Sequence, residues 1–304
     1  MSDQTQIAVI GLGSMGLGMA RSLIRAGFDV SGCDISEQAL ASLVAGGGRS
    51  FSSPAAAVSG ADIVVVVVVN AAQTETVLFG DNGAAAAMKP GAVIVSAATV
   101  APAQAKAFAA RAAEMGLLYL DAPISGGSVK AEAGQLTVMA SGPVESFVAA
   151  RPALDAMAAT VYELGDAVGI GSSFKIVNQL LAGVHIAAAC EAIMFAKSMD
   201  LDISRVYEVI TKSAGNSWMF ENRIPHVVAG DYTPHSAVSI FTKDLGIVSD
   251  IGRAQKFPLP IASAALQLFI MTEGAGMGHD DDSSVARLLA QVSGLTLPGM
   301  DEEA

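Results

Sequence analysis

The chain has 304 residues, 52% apolar but only 5% aromatic and with 31 glycines, which is enough length for two domains and favours small-residue packing of helices on a sheet. Seventeen Lys and Arg against 29 Asp and Glu give a net charge of −12, so a phosphate-rich partner is repelled and nucleic acid binding is not expected. Cys33 and Cys190 stand alone, without His or Cys at ligand spacing, so neither a disulfide nor a metal site is expected.

The opening "MSDQTQIAVIG" has no basic region leading into an apolar core and a small-residue cleavage site, and the expected address is the cytoplasm. From there "QIAVIGLGSMGLGMARSLIRAGFDVSGCD" reads as strand, glycine turn, helix and second strand, a βαβ unit. Gly11, Gly13 and Gly16 fit the G-x-G-x-x-G pattern: the first for a tight turn, the second for backbone approach to a pyrophosphate, the third for close helix packing. The cradle Gly11, Leu12, Gly13, Ser14, Met15 and Gly16 would hold the phosphates at a helix N-terminus, where unpaired N–H groups favour anions. Asp34 ends the second strand, placed to accept hydrogen bonds from an adenosine ribose. Its charge and the absence of arginine in the following "ISEQ" favour NAD over NADP.

Three further β-rich runs, "ADIVVVVVVN", "GAVIVSAAT" and "LLYLDAP", alternate with alanine-rich helical segments, the pattern of parallel strands buried on both faces. Ligands in such sheets bind beyond the carboxyl ends of strands, which points to Asn70, to Thr99 and to the segment after Asp121. That segment, "DAPISGGSVKAEAG", reads as a loop in which Ser125, Gly126 and Gly127 form a concavity for a substrate carboxylate; an ordinary flexible loop is the other reading.

After "TVYELGDAVGIGS" the strand signals fade and helical patterns fill the rest. The expected fold is therefore α/β: a Rossmann-type N-terminal domain, residues 1–165, with a mostly parallel sheet, and an all-helical C-terminal domain, residues 166–304. A long helix starting near residue 172 is expected to join them and to border a ligand cleft. It is apolar, but Asn178, Gln179, His185 and Glu191 interrupt it, so it reads as a core helix and no membrane contact is expected. Near its head Lys175, Asn178 and Gln179 fall at i, i+3 and i+4 and share one face. His226, Asp231 and His235 suit no common metal geometry and read as hydrogen-bonding groups.

"GLGSMG", "DAPISGG", "GSSFKIVNQ" and "FTKDLG" occur in this order, and with them the chain resembles the β-hydroxyacid dehydrogenase family over nearly its whole length. "LLAGVHIAAACEA", "AGNSWMFENR", "GDYTPHSAV", "DDSSV" and "LTLPG" resemble the branch acting on four-carbon sugar acids. The resemblance implies NAD-dependent oxidation of a C2 hydroxyl on such an acid, with Lys175 as general acid and base. It implies that Ser125, Gly126 and Gly127 grip the carboxylate, that Asn178 holds Lys175 or the substrate oxygen, and that Gln179 contacts further hydroxyls. Lys243 in "FTKDLG", read alone an ordinary solvated lysine, would by resemblance reach the cofactor. Desolvation and a neighbouring positive nicotinamide would both disfavour the charged form of Lys175 and suit it to proton transfer.

The chain departs from the family at Gln179, where a second asparagine is usual, and at Ser96 and Ala98, where an acidic residue and a serine are usual. The first departure alters substrate-site geometry and the second the packing beside Thr99. A 3-hydroxyisobutyrate dehydrogenase and a tartronate semialdehyde or glyoxylate reductase remain alternatives, as does a non-catalytic NAD sensor or scaffold, against which the presence of Lys175 argues. The apolar helical half is expected to assemble as a homodimer or homotetramer.

Overall fold

The computed structural model describes residues 5–300, so the extreme N-terminus, on which part of the leader-peptide expectation rests, lies outside the described residues. The first strand and helix are β1 (Gln6–Ile10) and α1 (Ser14–Arg25), followed by β2 (Asp29–Cys33), α2 (Glu37–Ala45), β3 (Arg49–Phe51), α3 (Pro54–Ala57) and β4 (Ile63–Val66). Next come α4 (Ala71–Phe79), β5 (Val93–Ser96), α5 (Pro102–Glu114) and β6 (Leu118–Asp121). These six strands form one sheet in the order β3-β2-β1-β4-β5-β6, with every pair parallel.

Side chains alternate across a strand, and here both alternating sets are buried. Ile7, Val9, Ile63, Val65, Val93 and Val95 pack on one face against Met19 and Leu23 of α1. Ala8, Ile10, Val64, Val66 and Ile94 pack on the other against Leu78 of α4 and Phe108 of α5. The uninterrupted valines of β4 are what a strand covered on both faces requires.

A second sheet follows, made of β7 (Ile124–Ser125), β8 (Leu136–Ala140) and β9 (Ala158–Glu163), with α6 (Gly127–Ala133) and α7 (Val144–Met157) between its strands. β7 runs antiparallel to β8, and β9 parallel to it. The segment after Asp121 is thus a short strand and a helix rather than the expected loop. A two-residue strand is too short for alternation to show in sequence; it forms because β8 supplies its pairing partner.

The remaining helices are α8 (Ile170–Ser198), α9 (Ile203–Ile210), α10 (Trp218–Ala229), α11 (Val238–Gln255), α12 (Pro260–Thr272) and α13 (Val285–Ser293). The chain divides into two compact units, Met1–Lys175 and Ile176–Ala304. This division falls inside α8, whose first turn is bonded to the strands of the first unit as described below. The second unit has its own core, in which Ile186, Cys190 and Ile193 of α8 meet Phe220, Phe241 and Phe269. α8 reaches a mean hydropathy of 1.6 over its most apolar stretch, and half of that stretch is buried in the protein.

Candidate active site

The turn between β1 and α1 is built by its glycines. Gly11 sits at φ +91, and a side chain there would strike the Val67 carbonyl oxygen at 2.4 Å; a Cβ on Gly16 would lie 1.9 Å from the Gly11 carbonyl oxygen. Both positions admit only hydrogen. Gly13 differs: its φ is ordinary, and a Cβ there would meet nothing within 4 Å, so its missing side chain answers to no neighbour in the protein. No side chain caps α1, and Gly13 and Ser14 are exposed at its head, which leaves the helix-start N–H groups directed at an incoming anion. This turn fits a pyrophosphate.

Asp34 accepts from the Leu12 N–H at 2.5 Å and from the Ser36 N–H at 2.8 Å, one bond on each carboxylate oxygen. Each oxygen keeps a further lone pair for a ribose hydroxyl. The Leu12 amide fixes Asp34, and its side chain is buried in the core. Asn70 caps α4 by accepting from the Gln73 N–H at 2.9 Å, which leaves its amide NH₂ as the group to offer a ligand. Thr99 lies half-buried just beyond β5. Ala98 beside it is packed into the core with Val100, so the departure from the family pattern there is an apolar packing choice.

The "DAPISGG" segment splits into two jobs. Ser125, Gly126 and Gly127 are half-buried or exposed at the join of β7 and α6, with φ +139 at Gly126 and +76 at Gly127, both conformations that a side chain disfavours. Asp121, by contrast, is only 1% exposed and receives the Gly169 N–H at 3.0 Å, the Ser172 N–H at 2.8 Å and the Ser172 hydroxyl at 2.7 Å. Burial raises its proton affinity, and these three donors with the Ser141 hydroxyl pull the other way.

Lys175 is 8% exposed, in the second turn of α8. Asn178 donates from its amide NH₂ to the Gln179 side-chain oxygen at 3.0 Å, and Gln179 donates to Asp244 Oδ2 at 2.5 Å. Lys243 Nζ completes the chain in an ion pair with Asp244 Oδ1 at 2.8 Å. Gln179 is itself 7% exposed, and its amide accepts from Asn178 and donates to Asp244 within the second unit. The side chain is one methylene longer than asparagine, and its amide meets Asp244.

Sequence reasoning passed over Asp121, Ser141, Ser172 and Asp244. Asp121 and Asp244 were legible, since one opens "DAPISGG" and the other follows Lys243 in "FTKDLG", but nothing local says that either is buried. Among the described residues no group of three metal-ligating side chains exists; His226 and His235 meet edge to face at 4.8 Å.

A parallel sheet in this strand order, with a glycine turn and a carboxylate following the second strand, is the frame of a dinucleotide-binding domain. Residues 6–165 match the NAD-binding domain model of 6-phosphogluconate dehydrogenase, and residues 169–289 match the NAD-binding domain model of NADP-dependent 3-hydroxyisobutyrate dehydrogenase. The chain is 54% identical to an L-threonate dehydrogenase of Cupriavidus necator over 97% of its own length and 99% of the relative's. It is 49% identical to an L-threonate dehydrogenase of Escherichia coli K12, covering 98% of each. A crystal structure of a 3-hydroxyisobutyrate dehydrogenase from Salmonella typhimurium superposes with a TM-score of 0.90 at 49% identity, over 94% of this chain and all of that one. The chain belongs to the β-hydroxyacid dehydrogenase family.

Proposed function

We propose that this enzyme oxidises the C2 hydroxyl of L-threonate to the ketone of 2-dehydro-L-erythronate. The observation that carries the reading is a buried lysine, Lys175, in a chain that shares 54% and 49% identity with L-threonate dehydrogenases along nearly its full length. NAD⁺ supplies the acceptor for the hydride leaving C2.

In this reading Lys175 Nζ takes the hydroxyl proton as the C–H bond gives up its electron pair, and returns that proton in the reverse direction. Ser125 and the backbone at Gly126 and Gly127 hold the substrate carboxylate, which their exposure and turn geometry support. Asn178, one turn along α8 from Lys175, orients the reacting oxygen. Gly11, Gly13, Ser14, Met15 and Gly16 shape the pyrophosphate cradle, Asp34 receives the ribose hydroxyls, and Asn70 and Thr99 line the strand ends. Lys243 contributes a positive charge toward the cofactor, while Gln179 and Asp244 set its direction through the bonds above. A homodimer or homotetramer fits the apolar side chains exposed on α8, α9 and α12, such as Phe195, Val209 and Ile261.

The test is NADH formation by purified enzyme with L-threonate, D-threonate, 3-hydroxyisobutyrate, L-serine and D-glycerate. L-Threonate is expected to give the highest kcat/KM, by at least about tenfold, the discrimination that a few hydrogen bonds provide. A higher value with 3-hydroxyisobutyrate would make the enzyme a dehydrogenase of that acid, and NADH binding without turnover on any member would make it a sensor.

A further inference from the structure

The start of α8 is tied to the strands by side chains far away in sequence. A helix leaves its first N–H groups without intrahelical partners. Here Gly169 and Ser172 donate theirs to Asp121 Oδ2 at 3.0 and 2.8 Å, and Gly171 donates to the Ser141 hydroxyl at 2.9 Å. The Ser172 hydroxyl adds a bond to Asp121 Oδ1 at 2.7 Å. Asp121 and Ser141 are themselves locked together, exchanging backbone N–H to carbonyl bonds at 3.0 and 2.8 Å. Gly171 closes the fit, because a Cβ there would lie 2.3 Å from the Met139 carbonyl oxygen and 2.9 Å from that of Asp121.

A capping serine or asparagine of the helix itself would satisfy these donors without burying a charge. A carboxylate buried to 1% exposure is costly, and it takes two backbone donors and a hydroxyl at once, with the positive end of the helix beside it. Such a site fixes the helix start in three dimensions. Lys175 follows Ser172 by three residues, about 4.5 Å along the axis, so any slip of the first turn is passed on to its side chain. A displacement of about 1 Å at a reacting group can cost about a hundredfold in rate.

We infer that Asp121, acting with Ser141 and Ser172, is a positioning residue for Lys175. It holds the head of α8 against the ends of β6 and β8, so that the amine meets the substrate hydroxyl in register. The inference rests on the lysine reading above, and the test separates the two. Three variants are compared with wild type: Asp121→Asn, which keeps the volume and loses one charged acceptor; Ser172→Ala, which removes one bond; and Lys175→Met. For each, kcat and KM for L-threonate, Kd for NADH, Tm, and the primary deuterium isotope effect on kcat with C2-deuterated substrate are measured.

Asp121→Asn is expected to lower kcat about 10- to 100-fold and Ser172→Ala about 3- to 10-fold, with KM and NADH affinity within about threefold of wild type. The isotope effect should grow in both as hydride transfer becomes slower than product release. Wild-type kcat and isotope effect in folded Asp121→Asn and Ser172→Ala, with Lys175→Met inactive, would overturn the positioning role alone. NADH affinity falling in step with kcat would overturn it too, since that is general loosening of the unit. If Asp121→Asn fails to fold, Ser172→Ala decides by the same criteria. Lys175→Met retaining normal kcat would instead remove the lysine reading beneath it.

Discussion

At the scale of single residues the two most informative carboxylates lie in different units. Asp34 spends one lone pair of each oxygen on the backbone of the turn and keeps the others for a ligand. Asp34→Ala is expected to weaken NAD binding about 10- to 100-fold, the worth of charge-assisted hydrogen bonds, and NADP binding much less; an unchanged ratio in titration calorimetry would take Asp34 out of the ribose site. Asp282 is fully buried beside Arg223, whose Nε donates to it at 2.6 Å. Burial pushes its carboxyl up to about 7 against the pull of that guanidinium. Between about pH 4 and that value the native state holds the proton more tightly than the unfolded chain, so this group's contribution to stability is full in acid and is lost as pH rises to 7. Arg223→Met leaves the carboxylate without its cation. The expected cost in urea denaturation is about 3–5 kcal/mol at alkaline pH, shrinking as the pH falls and the carboxyl is protonated.

At the scale of elements, α1 shows two glycines with opposite duties. Gly16 packs the helix against the Gly11 turn and Val67, whereas a side chain at Gly13 would meet no atom of the protein. Gly16→Ala is expected to cost about 1–3 kcal/mol of stability through overpacking, whereas Gly13→Ala should leave Tm unchanged and weaken NADH binding. Equal effects of the two on Tm would show that Gly13 is also a packing glycine. α8 was legible as a long apolar helix from its periodicity, and Lys175 and Asn178 as one face of it. That Asp121 anchors its head was not legible, because about fifty residues separate the partners in sequence. Nor was the partner of Gln179 legible: the resemblance implied contact with substrate hydroxyls, while its bond to the buried Asp244 on α11 joins residues 65 apart in sequence.

At the scale of the whole molecule, two hydrophobic cores are assembled from different stretches of chain, one around the parallel sheet and one around α8, α10, α11 and α12. Differential scanning calorimetry is expected to show a calorimetric enthalpy larger than the van't Hoff enthalpy. Saturating NADH, at about a hundred times its Kd, should stabilise the dinucleotide-binding unit by about 2.7 kcal/mol and move its transition upward. A single two-state transition would mean that the two units unfold as one.

By itself the sequence determined the things that local chemistry enforces. Glycines at fixed spacing between a strand and a helix, β-branched runs buried on both faces, and amides one turn from a lysine all act over a few residues, so pattern is enough to read them. Tertiary structure alone decided which buried carboxylates matter, where the first unit ends, and what Gln179 touches. Those outcomes depend on hydrogen bonds between segments distant in sequence, and a residue's type does not say which distant donor will be brought to it.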